Sequence, residues 1–587
     1  MSKQDKKKLQ FPFRRAVVLT AFSVFALSLG YRIVDLHVLR KDFLQDEGNA
    51  RAVRVVDTVA HRGMILDRNG EPLAISTPVD SVWANPKKLV TVRDRWPELA
   101  KAVGMKPRKL ERLLASKAKR EFVYLGRRIH PDRAARIMSL QIPGVSLQRE
   151  YRRFYPTGEV SGHLLGFTDI DDIGQEGIEL AYQDYLQGKN GSKRVLKDLY
   201  GQVIEDIESI RVAEPGKDLY LSIDRRLQYL AYRELKAAVK KHNARSGSAV
   251  LLDVQTGEVL AIVNQPSFNP NSRKGLTGDR YRNRAVTDVF EPGSTIKPFT
   301  VAAALTTGLF TPDSPIETGP GTMKIGRNMV RDTKNYGSID VRKVIQKSSN
   351  VGASKLALAI PAETFWEVLN KAGFGNPTLS GIPGEAAGIL TLASKWRDIE
   401  RATLSFGYGL SATPLQLAQA YSVFATNGKL QRVTFQRQDS ESTREQDVVQ
   451  VMPATVALQV RNMLELAVRP GGTGTRAQIQ GYRVAGKTGT VHKLGQSGYE
   501  EDSYLSVFAG LAPASQPRLI MVVMIDEPRS GEYYGGIVAG PVFANVMAGA
   551  LRLLNVPPDD LESLRPRMAA TETDVLATLQ TSHGEGQ

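Results

Sequence analysis

Cysteine is absent from the 587 residues, which excludes disulfides, thiolate metal sites, a thiol nucleophile and a lipid-modified N-terminal cysteine. Histidine is scarce: His37, His61, His130, His163, His242, His492 and His583 are too scattered for a short metal-ligand motif. Neither a metal nor another cofactor is therefore expected. Acid is in deficit, with 61 Asp and Glu against 78 Lys and Arg, a formal charge of +17. That balance suits anionic lipid, nucleic acid or an acidic polymer without choosing among them. What is present is a globular composition, 42% hydrophobic and 24% charged, so the chain is not mostly disordered. Its length implies two or more domains.

Residues 1–15 carry Lys3, Lys6, Lys7, Lys8, Arg14 and Arg15 against the single acid Asp5, and no charge follows from Ala16 to Gly30. The apolar run continues to Val34, broken only by Arg32. A helix needs about 20 apolar residues to span hydrocarbon, so 16–34 reads as a membrane anchor, with Arg32 able to snorkel. The basic head places residues 1–15 in the cytoplasm and everything beyond the span outside. The competing reading is a cleaved signal peptide, with Ala26-Leu27-Ser28 as a small-x-small site; continuation of the run past that site favours the anchor.

Three blocks follow. Residues 35–216, basic and mixed in pattern, read as a non-catalytic α+β pedestal of dimerisation type. In it Ile65-Leu66 and Leu73-Ala74-Ile75 flank Asn69-Gly70, a strong hairpin signal, and residues 108–120 read as an exposed basic helix. Pro215-Gly216 punctuates the boundary. Residues 217–556 are richer in long apolar elements and hold the chemistry, and residues 557–587, where apolar periodicity fades, read as a mobile tail. No internal repeat is evident.

The chemistry rests on three short patterns in a fixed order. In Glu291-Pro292-Gly293-Ser294-Thr295-Ile296-Lys297-Pro298, a Pro-Gly turn leads into a helical run, placing Ser294 one turn before Lys297 on the same face. A serine hydroxyl is a poor nucleophile until a base takes its proton, and a desolvated lysine can be that base. The pattern alone is weak: Ser116-Lys117-Ala118-Lys119 also fits it, in a highly charged setting that would keep a lysine protonated. Ser348-Ser349-Asn350 likewise has a decoy in Ser267-Phe268-Asn269. The third element, Lys487-Thr488-Gly489-Thr490, has no second copy. It reads as an edge strand able to dock an extended peptide, with Gly489 admitting a close approach. Strands over Val507–Gly510 and Leu519–Ile525, joined by the Pro513–Pro517 turn, complete an antiparallel meander.

Ser-x-x-Lys, Ser-x-Asn and Lys-Thr-Gly in this order resemble the signature of penicillin-binding proteins and serine β-lactamases. Arg62-Gly63-Met64-Ile65-Leu66-Asp67-Arg68-Asn69-Gly70 is similar to the juxtamembrane motif of class B penicillin-binding proteins. Arg153-Phe154-Tyr155-Pro156 and Gly174-Gln175-Glu176-Gly177-Ile178-Glu179 are similar to that class's later non-catalytic motifs. Phe406-Gly407-Tyr408-Gly409-Leu410 and Tyr533-Tyr534-Gly535-Gly536 resemble the septal, FtsI-type transpeptidase in particular. The resemblance spans nearly the whole chain, with no glycosyltransferase domain before the catalytic block.

That resemblance implies an α+β penicilloyl-transferase fold, an antiparallel sheet flanked by helices, and a peptidoglycan D,D-transpeptidase in the bacterial inner membrane. Ser294 would attack the penultimate D-Ala carbonyl of a stem peptide, and Lys297 would accept its proton. Ser348 would relay a proton to the leaving amine, Asn350 would orient the substrate amide, and Lys487 would add positive potential. Thr488 and Thr490 would bind the terminal carboxylate, with Ser349 and Gly489 among the substrate contacts. The amides of Ser294 and Thr490 would form the oxyanion hole. A second stem peptide's amine would resolve the ester, hydrolysis would give a D,D-carboxypeptidase side activity, and β-lactams would be trapped at Ser294. Tyr408, Tyr504, Tyr533 and Tyr534 are candidate pocket walls or plain core. His492 stands where many septal relatives carry arginine. If it holds the carboxylate, acylation strengthens as pH falls through about 6.5, and equal rates for wild type and His492→Ala from pH 5 to 8 exclude it.

Among alternatives, an elongation-specific transpeptidase shares every catalytic residue and differs in its partners. A β-lactamase needs a water-activating group that is not identifiable, and a sensor or divisome scaffold would drop transpeptidation. The family implies an FtsW-type glycosyltransferase and other division proteins as partners. Nucleic acid is not expected, for want of any motif.

Overall fold

The computed structural model describes residues 12–197, 203–272, 278–438, 448–495 and 498–564. The chain clusters into two compact units, one of Met1–His61, Pro78–Arg152 and Gly188–Pro215, the other of Arg62–Thr77, Arg153–Gln187 and Gly216–Gln587. The expected 35–216 block is divided between these two units. Its Arg62 and Arg153 motifs fold with the second unit because Ile65, Leu73, Tyr155, Leu164 and Ile178 belong to that unit's core.

In the first unit, α1 (Pro12–Val34) buries none of its residues. Its 23 residues span about 35 Å, enough to cross hydrocarbon. Arg32 pairs at 2.6 Å with Asp35, which Arg40 also holds at 3.0 Å, so Arg32 has an acid partner as well as a route to the interface. Strands β1 (Val53–Thr58), β2 (Pro72–Ala84, shared with the second unit), β3 (Val123–Ile129), β4 (Val145–Phe154), β5 (Gly191–Lys197) and β6 (Val203–Arg211) surround helix α2 (Pro107–Ser116) in sequence. A three-stranded sheet runs β1-β5-β6, while β3 and β4 both pair with β2. Helix α2 starts on a proline at its first position, where no amide acceptor is lost, and buries Leu110 and Leu114 one turn apart. The expected helix over 108–120 therefore stops at Ser116 and is amphipathic, which leaves the Ser116–Lys119 decoy at its frayed end.

In the second unit, α3 (Arg225–Lys241), β7 (Ser246–Asp253), β8 (Val259–Gln265), α4 (Lys297–Thr306), β9 (Asn328–Arg331), α5 (Val341–Lys347), α6 (Asn350–Ala359), α7 (Ala454–Val468), β10 (Ala485–Gly495), β11 (Gly498–Ala512), β12 (Leu519–Asp526) and α8 (Gly540–Leu553) follow in order. The sheet runs β8-β7-β12-β11-β10, antiparallel throughout. Every residue of β12 is buried, as helices on both faces require. Its alternation divides the core: Ile520, Val522 and Met524 join the layer of α4. Leu519, Met521, Val523 and Ile525 join Leu235 of α3 and Phe543 of α8 in the other layer. Gly535–Leu553 is apolar enough to span a membrane but is 56% buried, a core helix. Residues 557–564, expected to open the mobile tail, are tied down: Asp559 accepts the Arg483 amide at 2.7 Å, and Ser563 Oγ accepts the Gly481 amide at 2.8 Å. Residues 565–587 lie outside the described residues.

Candidate active site

Helix α4 is buried from Lys297 to Leu305 and pinned by side chains from other segments. Tyr421 donates to the Thr295 carbonyl at 2.8 Å, and Thr300 donates to the Ser405 carbonyl at 2.8 Å. Ser294 lies in the 3₁₀ turn Gly293–Ile296 that opens this helix. It is half-exposed, whereas Lys297 is 0% exposed. The nucleophile candidate faces outward and the base candidate lies one turn inside the core.

Lys297 Nζ stands 2.9 Å from Ser294 Oγ, 2.6 Å from the Ser348 carbonyl, 3.0 Å from Ser348 Oγ and 2.7 Å from Asn350 Oδ1. Burial first, then the neighbouring Lys487, hold this amine well below the usual lysine range, against an opposing pull from Asp332. A neutral amine has two N–H donors and one lone pair. The Ser348 carbonyl and Asn350 Oδ1 can only accept, so they take both donors, and the lone pair is left for a hydroxyl. Ser294 is the half-exposed hydroxyl beside it. This is the arrangement of a general base facing its serine.

Ser348 ends α5 at φ 60°, ψ 41°, a left-handed conformation costly for a residue with a side chain. It places Oγ between Lys297 and, at 2.9 Å, Lys487 Nζ. Lys487 is also 0% exposed, and burial pushes it down to about 7. Ser349, expected to touch substrate, is instead fully buried. Its hydroxyl accepts the Gly352 amide at 2.9 Å, capping α6, and donates to Asp332 at 2.6 Å. Its one proton is thus spent inside the fold, so it has no donor left for a substrate.

Strand β10 is the sheet edge, as its sequence suggested, and presents Lys487 through His492. Thr488 Oγ1 lies 2.8 Å from Thr473 Oγ1, and Thr490 Oγ1 accepts the Gly535 amide at 3.0 Å while keeping its own proton to donate. A Cβ on Gly489 would fall 2.9 Å from the Pro292 carbonyl and 3.2 Å from Thr295. The glycine therefore seats β10 against the Ser294 turn, and the close approach it permits is to this chain's own backbone. His492 pairs across the hairpin with Tyr504. Its Nδ1 donates to the Glu500 carbonyl at 3.1 Å. His492, Tyr504, Tyr533 and Tyr534 form a ladder with ring centroids 4.6, 4.0 and 4.6 Å apart. Tyr408 stands near the other side of the strand, its hydroxyl accepting the His492 amide at 3.4 Å.

Two acids escaped the sequence reading. Asp332 receives the amides of Asn350 and Val351. Glu291, three residues before Ser294, accepts the Gly409 amide at 2.7 Å and the Tyr499 hydroxyl at 3.1 Å. Glu291 lay within the quoted motif; nothing in the local sequence marks Asp332.

Residues 247–548 match the penicillin binding protein transpeptidase domain, and residues 57–221 match the penicillin-binding protein dimerisation domain. The chain belongs to the class B penicillin-binding proteins. It is 44% identical over 566 residues, 95% of each chain, to the peptidoglycan D,D-transpeptidase FtsI of Escherichia coli K12. The transpeptidase domain of Burkholderia pseudomallei penicillin-binding protein 3 is 44% identical with a TM-score of 0.53, covering 58% of this chain and 97% of its own. Mycobacterium tuberculosis penicillin-binding protein 3, solved with aztreonam, is 28% identical with a TM-score of 0.67, covering 86% of this chain and 98% of its own. This class B penicillin-binding protein is a transpeptidase of the FtsI type.

Proposed function

We propose that this class B penicillin-binding protein is a peptidoglycan D,D-transpeptidase that crosslinks stem peptides at the division septum through an acyl-enzyme on Ser294, and that β-lactams are trapped there. The observation carrying this reading is the buried Lys297 amine 2.9 Å from Ser294 Oγ, with both its donors engaged elsewhere. Lys297 takes the Ser294 proton as Oγ adds to the penultimate D-Ala carbonyl. Ser348, between the two lysines, returns a proton to the leaving D-Ala nitrogen as the C–N bond breaks. The amides of Ser294 and Thr490 hold the oxyanion. Asn350 and the β10 edge align the donor peptide, and Lys487, Thr488 and Thr490 face its carboxylate. A second peptide's amine then attacks the ester, its proton leaving through the same lysine. The tyrosine ladder and His492 wall the carboxylate end.

The same reading makes α1 a single-pass inner-membrane anchor, with residues 1–15 cytoplasmic and the catalytic unit periplasmic. The first unit serves as the pedestal for an FtsW-type polymerase and other division proteins.

Labelling by a fluorescent penicillin, with release followed over hours, tests the chemistry. A stable adduct in wild type, absent in Ser294→Ala, is expected. Release within minutes would assign a β-lactamase, and no adduct at any pH would leave a scaffold.

A further inference from the structure

We infer that Asp332 is a positioning residue for this reaction: from the end of β9 it sets the Ser348–Asn350 corner and faces Lys297 with a negative charge. The inference rests on the acyl-enzyme reading above and concerns how its base is held. Asp332 follows β9 directly, and its own amide donates to the Gly321 carbonyl at 2.9 Å. Its carboxylate collects the Ser349 hydroxyl at 2.6 Å, the Val351 amide at 3.0 Å and the Asn350 amide.

These three donors stand at the start of α6, directly after the break from α5 where Ser348 is left-handed and Ser349 is extended. The break carries both Ser348 Oγ and Asn350 Oδ1 to Lys297, and hydrogen bonds to a carboxylate are the strong kind that can hold it. One residue earlier, the Arg331 carbonyl accepts Asn350 Nδ2 at 2.9 Å. That bond fixes which end of the amide is oxygen, so Oδ1 must face Lys297. The Arg331–Asp332 corner thereby determines where the two acceptors that consume the N–H groups of Lys297 stand.

Charge adds a second role. The charged groups that act on Lys297 are Lys487 and Asp332; the other groups at its amine, on Ser294, Ser348 and Asn350, are neutral. Burial and Lys487 favour the neutral amine, and Asp332 opposes them. Removing the negative charge while keeping the shape therefore frees the base at lower pH. Asparagine allows this separation: its oxygen can accept both backbone amides, and its nitrogen can donate to Ser349 Oγ, which has a spare lone pair.

The experiment is second-order acylation of the full chain in detergent by a fluorescent penicillin from pH 5 to 9, with thermal melts alongside. It compares wild type, Asp332→Asn and Asp332→Ala, with Ser294→Ala as the blank. Asp332→Asn is expected to move the acid limb to lower pH, so that its rate relative to wild type rises as pH falls. Asp332→Ala is expected to lose about a hundredfold at every pH, as for a misplacement of roughly 1 Å at a reacting group. A helix-cap role alone would lower melting temperature without moving the acid limb. An Asp332→Asn profile superimposable on wild type overturns the charge role, even if Asp332→Ala fails to fold. Wild-type rates in Asp332→Ala overturn the positioning role. Labelling that survives Ser294→Ala overturns the acyl-enzyme reading instead and is read from the blank.

Discussion

Gly407 allows the placement of Ser294 to be perturbed without touching a reacting group. It sits at φ +88°, and a Cβ there would lie 2.0 Å from the Gly293 carbonyl oxygen and 2.5 Å from its carbon. The Gly293 amide donates to the Gly407 carbonyl at 3.1 Å, so the two backbones are already clasped. Side-chain carbons do not approach closer than 3.0 Å, so in Gly407→Ala the two clasped backbones must part by about 1 Å, and Gly293 is the residue before Ser294. Left-handed strain adds about 1–2 kcal/mol. Gly409 supplies the control: its φ is +83°, yet the nearest atom to a Cβ is a Leu404 side-chain carbon at 3.9 Å. Gly409→Ala thus carries the strain without the clash. A shift of about 1 Å at the nucleophile is worth about a hundredfold in rate, or roughly 2.7 kcal/mol. Acylation by a fluorescent penicillin should slow by about that factor in Gly407→Ala and stay near wild type in Gly409→Ala. Equal rates in the two variants would refute the claim that this clasp positions Ser294.

Lys297→Arg keeps a long basic side chain but cannot give up its proton, so labelling at Ser294 should vanish between pH 6 and 9; persistent labelling would remove Lys297 as the base. Glu179 is 0% exposed and pairs with Arg62 at 2.7 Å and Arg153 at 2.6 Å, so Glu179→Gln strands two buried guanidinium groups. It should cost about 3–5 kcal/mol, seen as a lower melting temperature, and an unchanged melt would contradict this. For Lys487 the folded value of about 7 lies below the ordinary 10.5, so the unfolded chain binds more protons between those pH values and stability rises with pH across that window. Lys487→Met should relieve roughly 5 kcal/mol below pH 7 and progressively less toward pH 10; a pH-independent difference in melting temperature would exclude a neutralised buried lysine.

What was legible in the sequence was local. The Asn69-Gly70 hairpin closed as read, with Ile65 opposite Ala74, because a turn and its flanking apolar residues are neighbours in the chain. The edge position of β10 was read from Lys487-Thr488-Gly489-Thr490 as a strand able to dock an extended peptide, and the strand does close one side of the sheet. The failures involve partners far apart in sequence. Ser349 looked like a substrate contact because it lies inside the Ser-x-Asn pattern, but Asp332, 17 residues earlier, claims its proton. Gly489 looked like a concession to the substrate, and only the fold brings Pro292 beneath it. The grouping of 62–77 with 153–187 likewise depends on Arg62 meeting Glu179, 117 residues further on. A pattern read along the chain carries no such term.

The offset between Ser294 and Lys297 reconciles two opposed demands. A lysine acts as base near neutral pH only if it is desolvated, whereas a nucleophile must be open to a peptide. Lys297 begins a helix buried through Leu305, while Ser294 is three residues back on the turn that enters it. That turn is 3₁₀, a geometry in which residues i and i+3 eclipse instead of standing apart by 60°. The eclipse lets a half-exposed hydroxyl and a fully buried amine meet at 2.9 Å. The i, i+3 spacing supplies the contact, the entry turn supplies the difference in exposure, and Gly407 and Gly489 let neighbouring backbone pack directly against that turn.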